Sequence, residues 1–152
     1  MKIVDMNIIS KFCGGEIQMD FSDPIYVTSE LKDEIETYKA SFPGHRTRLQ
    51  GIKLIDIETY RYHGGEYFDE IKYLFHYKNL INKYSNITSF YGLKGLGDMS
   101  ILAAVATVLG RDNPSLFDAE EKIEVVTHDN DLKSALTEEF GTRIIINDPL
   151  NI

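Results

Sequence analysis

KIEVVTHDNDLKSALTEEFGTRIIIN, residues 122–147, is the stretch that decides the fold. KIEVVT, 122–127, is apolar and β-branched and reads as a strand. LKSALTEEF, 132–140, reads as a helix, and Gly141 behind it reads as the stop. TRIIIN, 142–147, then reads as the closing strand. Between the first strand and the helix stands THDND, 127–131, which places Asp129 and Asp131 where a strand gives way to a helix. Aspartate at a helix start has an ordinary explanation, since its side chain caps free backbone N–H groups.

Working outward, the same alternation recurs. KIVDMNII, 2–9, is a β-like run, and PIYVT, 24–28, reads as a second strand. SELKDEIETY, 29–38, carries Leu31, Ile35 and Tyr38 at helical spacing, with Thr28 or Ser29 to cap it. IKLIDI, 52–57, alternates as a third strand would. From Glu66 to Tyr84, the positions Tyr67, Ile71, Leu74, Phe75 and Ile81 mark one face of a long helix. YGLKGLGD, 91–98, reads as a glycine-bearing loop, and ILAAVATVL, 101–109, as a helix buried on most sides. Strands alternating with helices predict an α/β fold, with a central, mostly parallel sheet of about five strands flanked by helices. The continuous apolar character of KIVDMNII, IEVV and RIIIN predicts strands buried on both faces.

The totals bound this reading. The 152 residues suit a single domain, residues 1–152, with one core. Hydrophobic residues at 43% and charged residues at 26% are ordinary globular values. No apolar run is long enough to span a membrane, and MKIVDMNIIS lacks the apolar region of a signal peptide. The lone Cys13 excludes an internal disulfide and points to a cytoplasmic setting. A net charge of −8 excludes a protein that holds nucleic acid by bulk attraction, but not one whose acids gather around metal.

In parallel sheets, ligands collect at the carboxyl ends of the strands. There the sequence places acids. Asp5 ends the KIV strand, Glu34 lies in the helix after the second strand, Asp98 opens the apolar helix and Asp129 ends KIEVV. Carboxylates gathered at one place repel each other and resist desolvation. A hard divalent cation relieves both problems, and oxygen ligands without His or Cys suit Mg²⁺ or Mn²⁺.

In order and spacing these segments resemble the PIN-domain ribonucleases. VDMN at 4–7 is similar to that family's opening Val-Asp-Thr-Asn, and VTSELKDEI resembles its strand-to-helix segment, carrying Glu34. GDMSILAAVA at 97–106 resembles the segment in which an Asp opens an Ala-rich buried helix. VVTHDNDL, followed by a helix, glycine and TRIII, resembles the closing motif with Thr127 and Asp129. The resemblance covers both ends of the chain and poorly covers residues 40–90. It implies a three-layer fold and a metal-dependent cut in RNA. Asp5, Glu34, Asp98 and Asp129 are then the catalytic and metal-holding acids, supported by Asn7, Thr127 and Asp131. Many small members are VapC-like toxins paired with an antitoxin protein, and many form homodimers. One departure stands out: where the family has Thr or Ser after the first Asp, this chain has Met6, which lacks a hydroxyl.

Each residue also has a plainer reading. Asp98 and Asp129 serve equally as helix caps, and Asp131 reads first as a cap or a partner of the ligands. Glu30 competes with Glu34 on the same helix face, and Glu34 fits the family spacing better. Asp5 is the hardest to explain without a ligand, because an unpaired buried carboxylate costs several kcal/mol, roughly. His128 should point away from the site, and His45, His63 and His76 show no ligand spacing. Arg46, Arg48, Lys53 and Arg61 form the basic stretches that could meet an RNA backbone, with Tyr62 stacking on a base; ordinary loop charge is the alternative.

Rival acidic sites miss at defining positions. A Toprim-type site needs Glu at the first strand, where Asp5 stands, and a haloacid-dehalogenase-type phosphatase needs Asp where Asn7 stands. A receiver domain needs an early acidic pair that DMN lacks. A catalytically silent module of the same fold, binding RNA or a protein partner, is the rival from another class, and Met6 is the feature that favours it.

Overall fold

The structure, a computed structural model, describes residues 1–62, 65–84, 95–110 and 122–150. The chain is an α/β protein; among the described residues its three strand ladders are parallel, and an isolated bridge between Arg61 and Tyr67 is antiparallel. β1 (Lys2–Val4) runs into α1 (Met6–Cys13), and β2 (Ile25–Val27) into α2 (Ser29–Ser41). A 3₁₀ turn at Pro43–His45 leads to α3 (Arg46–Gln50), then β3 (Leu54–Asp56). α4 (Glu70–Lys83) and α5 (Gly95–Leu109) follow, then β4 (Glu124–Val126), α6 (Asn130–Phe140) and β5 (Ile145–Asn147).

β4 is the middle strand of a three-stranded sheet, with β1 on one side and β5 on the other; Ile3 faces Val125, and Val125 faces Ile146. β2 and β3 form a separate ladder with Tyr26 opposite Ile55. β2 lies along β1 with Cα atoms within 8 Å. Among the described residues there are five strands, but they are hydrogen-bonded as three and two rather than as the one expected sheet.

The core is the inward face of this arrangement. Ile3, Val4, Ile25, Val125 and Val126 are buried from the strands, and Ile8, Ile9, Leu31, Ile35, Leu132 and Leu136 from the helices. Each such side chain contributes about 1.5–3 kcal/mol by leaving water. Residues Ile101 to Val105 of α5 are fully buried, as the all-apolar run predicts, and α5 packs against α2, α4 and α6.

Four expectations are corrected. The run 2–9 is not one strand: the chain turns helical at Met6, because Ile8, Ile9, Phe12 and Cys13 fall at helical spacing and pack inward. Residues 95–98 of the expected loop are the first turn of α5, and residues 91–94 lie outside the described set. β5 is an edge strand whose Ile145 is exposed, so RIIIN is not buried on both faces. The helix expected from Glu66 begins at Glu70, with Tyr67 before it in a bridge to Arg61, and its apolar face Ile71–Leu74–Phe75 is the exposed one; Tyr73, Tyr77, Leu80, Ile81 and Tyr84 meet the core instead.

Candidate functional site

Asp5 and Thr127 sit at the carboxyl ends of the neighbouring parallel strands β1 and β4, held level by the Val4–Val126 register. The Asp5 N–H continues the ladder to the Val126 carbonyl at 2.9 Å. That pairing fixes the Asp5 backbone, while its side chain, only 4% exposed, turns toward Thr127. The Thr127 hydroxyl donates to Asp5 Oδ2 at 2.8 Å and accepts from the Asp129 N–H at 3.1 Å. One buried hydroxyl therefore ties the first acid to the backbone of the last. A hydroxyl does reach Asp5, although Met6 supplies none.

Asp129 caps α6, its Oδ1 accepting the Leu132 N–H at 2.9 Å. The cap is thus Asp129, and the expectation that Asp131 takes that place is corrected; Asp131 stands exposed in the first turn. Asp98 lies in the first part of α5, buried at 6% exposure, and no hydrogen-bond donor or ion-pair partner meets its carboxylate among the described residues. Glu34, half-buried on α2, accepts the Gly97 N–H at 3.2 Å. Glycine at 97 is what admits it: a Cβ there would lie 2.7 Å from both Glu34 oxygens.

Glu30 and Glu34 part company here. Glu30 accepts from the Tyr73 hydroxyl of α4 at 2.9 Å and from Ser29 at 3.1 Å. Glu34 is the residue that feels the other acids. Behind them, Thr28 and Ser100 share a 2.6 Å hydrogen bond, and Ser100 donates to the Gly97 carbonyl. That pair of hydroxyls joins α2 to α5 next to the Glu34–Gly97 contact.

The electrostatics report how close the acids are. Burial, then the charges of Asp5, Asp129, Glu34 and Asp131, push the Asp98 carboxyl up to about 8. Burial lifts Glu34 to about 7, with the Gly97 N–H opposing and the Asp5 charge adding to the rise. Burial also raises Asp5, against the pull of Thr127 and of the nearby Asn7 and Met6 backbone N–H groups, with Asp129 adding to the rise. Those two N–H groups favour the charge without closing a capping hydrogen bond. Near neutral pH this cluster therefore holds protons that isolated carboxyls would have lost.

The donors are all hard oxygens, which suits Mg²⁺ or Mn²⁺ and disfavours the softer ions. Asp98 is the observation that most invites a cation, being a buried carboxylate with no donor of its own. As the side chains stand, no three Asp, Glu, His or Cys among the described residues are grouped to hold a metal ion. The hydrogen bonds explain the spread: Asp5 is held by Thr127, Asp129 by its cap and Glu34 by Gly97. Mutual repulsion favours such separation when no cation is present.

The remaining expected residues fall elsewhere. Asn7 is exposed and its side-chain amide bonds none of the acids. His128 turns outward to Asp148, with Nδ1 at 2.9 Å from Oδ1, as expected of a residue pointing away. The basic stretch around 45–50 is helical rather than a loop. Arg48 donates to the Phe12 carbonyl at 3.0 Å, toward the far end of α1 from Asp5, about 10 Å along the helix. Arg46 reaches the Lys39 carbonyl at 3.4 Å, and Arg61 lies over the Tyr67 ring, 4.6 Å from its centre. Lys53 precedes β3, at the amino edge of the strands rather than the carboxyl edge. Tyr62 is buried, so it offers no face for stacking a base. Arg48, Lys53 and Tyr62 thus do not line the acidic edge. His63 lies outside the described residues.

Sequence reasoning missed Gly97 and the Thr28–Ser100 pair. The glycine before Asp98 was the available signal, since a helix-interior glycine that costs about 1 kcal/mol usually has a close neighbour to admit. No protein-family model, curated protein or solved structure matches the chain. No helix among the described residues is long and apolar enough to cross a membrane.

Proposed function

We propose that the chain is a metal-dependent endoribonuclease with a PIN-like three-layer fold, in which Asp5, Glu34, Asp98 and Asp129 hold one or two Mg²⁺ or Mn²⁺ ions. The observation that carries this reading is the buried Asp98 carboxylate, which has no donor among the described residues and is pushed up to about 8 by burial and by four neighbouring carboxylates. A structural role leaves such a concentration of like charge unexplained, because each acid would be more stable as an amide or apolar side chain. The strand order supports the reading too: β2 lies along β1, which would extend the sheet to β3-β2-β1-β4-β5.

When bound, such an ion lowers the pKa of a water molecule and stabilises charge on a phosphodiester. The chain's own residues supply the rest. Thr127 holds the Asp5 carboxylate in one orientation and fixes the Asp129 backbone beside it. Gly97 lets Glu34 approach the start of α5, and Asp98, whose proton its neighbouring carboxylates retain, would give it up only where a cation offsets their charge. An RNA substrate, and an antitoxin protein that silences the enzyme, follow from the family resemblance.

A second reading is a silent module that binds RNA or a protein partner. The dispersed carboxylates favour it, since none of them is grouped for a metal as they stand. Cleavage separates the two. Purified protein is incubated with a mixed RNA pool and Mg²⁺ or Mn²⁺, beside EDTA and Asp5→Asn controls. The nuclease reading expects cutting that both controls abolish. RNA left intact under either metal by folded protein supports the silent module.

A further inference from the structure

Hydrophobic burial gives α5 no preferred face. Ile101 to Val105 are fully buried in succession, and Met99 and Val108 nearly so. The rotation of α5 about its own axis nevertheless decides where Asp98 stands. Side chains reach about 5–6 Å from a helix axis, so a turn of about 20° carries the Asp98 carboxylate about 2 Å sideways. That is roughly a whole Mg²⁺–oxygen bond.

Polar contacts are left to set the rotation. Thr107, a buried hydroxyl of α5, donates to the Ala103 carbonyl of its own helix. Tyr62 and Arg143 reach the Thr107 and Leu109 carbonyls at the far end, close to the axis, where they resist rotation weakly. Ser100 differs. Its Oγ stands 2.6 Å from Oγ1 of Thr28, and both residues are buried. Ser100 donates to the Gly97 carbonyl at 2.6 Å, so the proton between the two hydroxyls comes from Thr28, whose own Oγ1 accepts the Leu31 N–H at 3.1 Å. Ser100 also meets the Tyr73 hydroxyl of α4.

Each hydroxyl has a local use: Thr28 caps α2, and a helical serine often bonds a carbonyl one turn back. Neither use requires the two to meet. An apolar pair would fill the same space without burying two polar groups. What the hydroxyls add is direction, since a polar contact between apolar surfaces specifies register where burial does not. Around the α5 axis Gly97 lies between Ser100, about 60° to one side, and Asp98, about 100° to the other. α2 touches this arc twice, at Ser100 through Thr28 and at Gly97 through Glu34. Those two α2 residues stand about 9 Å apart along their helix, so together they hold α5 against turning.

We propose that Thr28 and Ser100 are positioning residues for the acidic cluster: their hydrogen bond fixes the rotation of α5 against α2 and so holds Asp98 where it and Glu34 can share a divalent cation. The inference rests on the metal-site reading of those acids and adds two residues that themselves touch no cation.

Calorimetric titration of the full chain with Mn²⁺, beside thermal unfolding without metal, tests it. Ser100→Ala should fold, because alanine is smaller and favours a helix, and should bind Mn²⁺ at least about tenfold more weakly than the unmodified protein. Thr28→Val should lose about as much affinity, although its melting temperature falls further because it also loses the α2 cap. The double variant should bind no more weakly than the weaker single one, since both changes remove the same bond. Thr28→Ser keeps the hydroxyl and should restore tight binding. A lower melting temperature with unchanged affinity in the folded variants makes the pair merely structural and overturns the proposal. So do affinity losses that add in the double variant, or loss of folding in both single variants. An unmodified protein that binds no Mn²⁺ overturns the metal-site reading and this inference with it, whereas binding that Ser100→Ala leaves intact overturns this inference alone.

Discussion

Glu34 rests directly on Gly97: its Oε1 accepts the Gly97 N–H at 3.2 Å, and a methyl group at 97 would lie 2.7 Å from both carboxylate oxygens. This contact brings α2 to the start of α5 and places a fourth carboxylate beside Asp98.

Gly97→Ala should therefore displace Glu34 while leaving the fold standing. The lost hydrogen bond costs about 1 kcal/mol, and the gain in helix propensity offsets about as much. Melting temperature should change little. Mn²⁺ affinity should fall about 10–100-fold, the usual effect of disturbing groups that orient a ligand. Equal losses in melting temperature and affinity would make the contact merely structural.

Asp98→Asn should stabilise the metal-free protein at pH 8 and abolish cleavage. The substitution removes a buried charge that four neighbouring carboxylates oppose. The gain should be on the order of 1–3 kcal/mol, read from thermal or denaturant unfolding. A loss of stability would mean that a donor satisfies Asp98.

Stability of the metal-free protein should fall as pH rises. Glu34 at about 7 and Asp98 at about 8 both exceed the ordinary values of 4.5 and 3.8 that apply when unfolded. Between about pH 4 and 8 the folded state therefore binds more protons than the unfolded state, so unfolding free energy declines through that window. Melting temperature followed from pH 5 to 8 should drop, less steeply in Asp98→Asn, and Mn²⁺ should reverse the drop at pH 8. A flat profile in the unmodified protein would remove the basis for a strained cluster.

Thr127→Val should destabilise the fold by about 1–3 kcal/mol, because it strips a buried donor from Asp5 and an acceptor from the Asp129 N–H. Denaturant unfolding reads the loss. Thr127→Ser keeps the hydroxyl and should recover most of it.

The alternation of β4, α6 and β5 was legible because each segment carries a single period and Gly141, at φ +55°, closes the helix. The strand-end positions of Asp5 and Asp129 followed from that alternation. α1 was hidden because Ile8 and Ile9 are adjacent and extend a β-like run as readily as they start a helix. The orientation of α4 was hidden because both of its faces are apolar, and only the position of α5 selects between them. Glu30 and Glu34 were indistinguishable by spacing; a hydroxyl from Tyr73, on another helix, separates them. The basic residues misled for a related reason. The carbonyl that Arg48 serves closes α1, a helix not evident from the sequence.

The most direct test of the acidic cluster is calorimetric titration of the full chain with Mn²⁺ at pH 8, repeated in buffers of different ionisation enthalpy. The account predicts saturable binding that releases protons, because Asp98 and Glu34 are partly protonated until the ion arrives, and it predicts that Asp98→Asn removes most of that heat. Absence of binding by the folded protein, or binding that Asp98→Asn leaves unchanged, would contradict it.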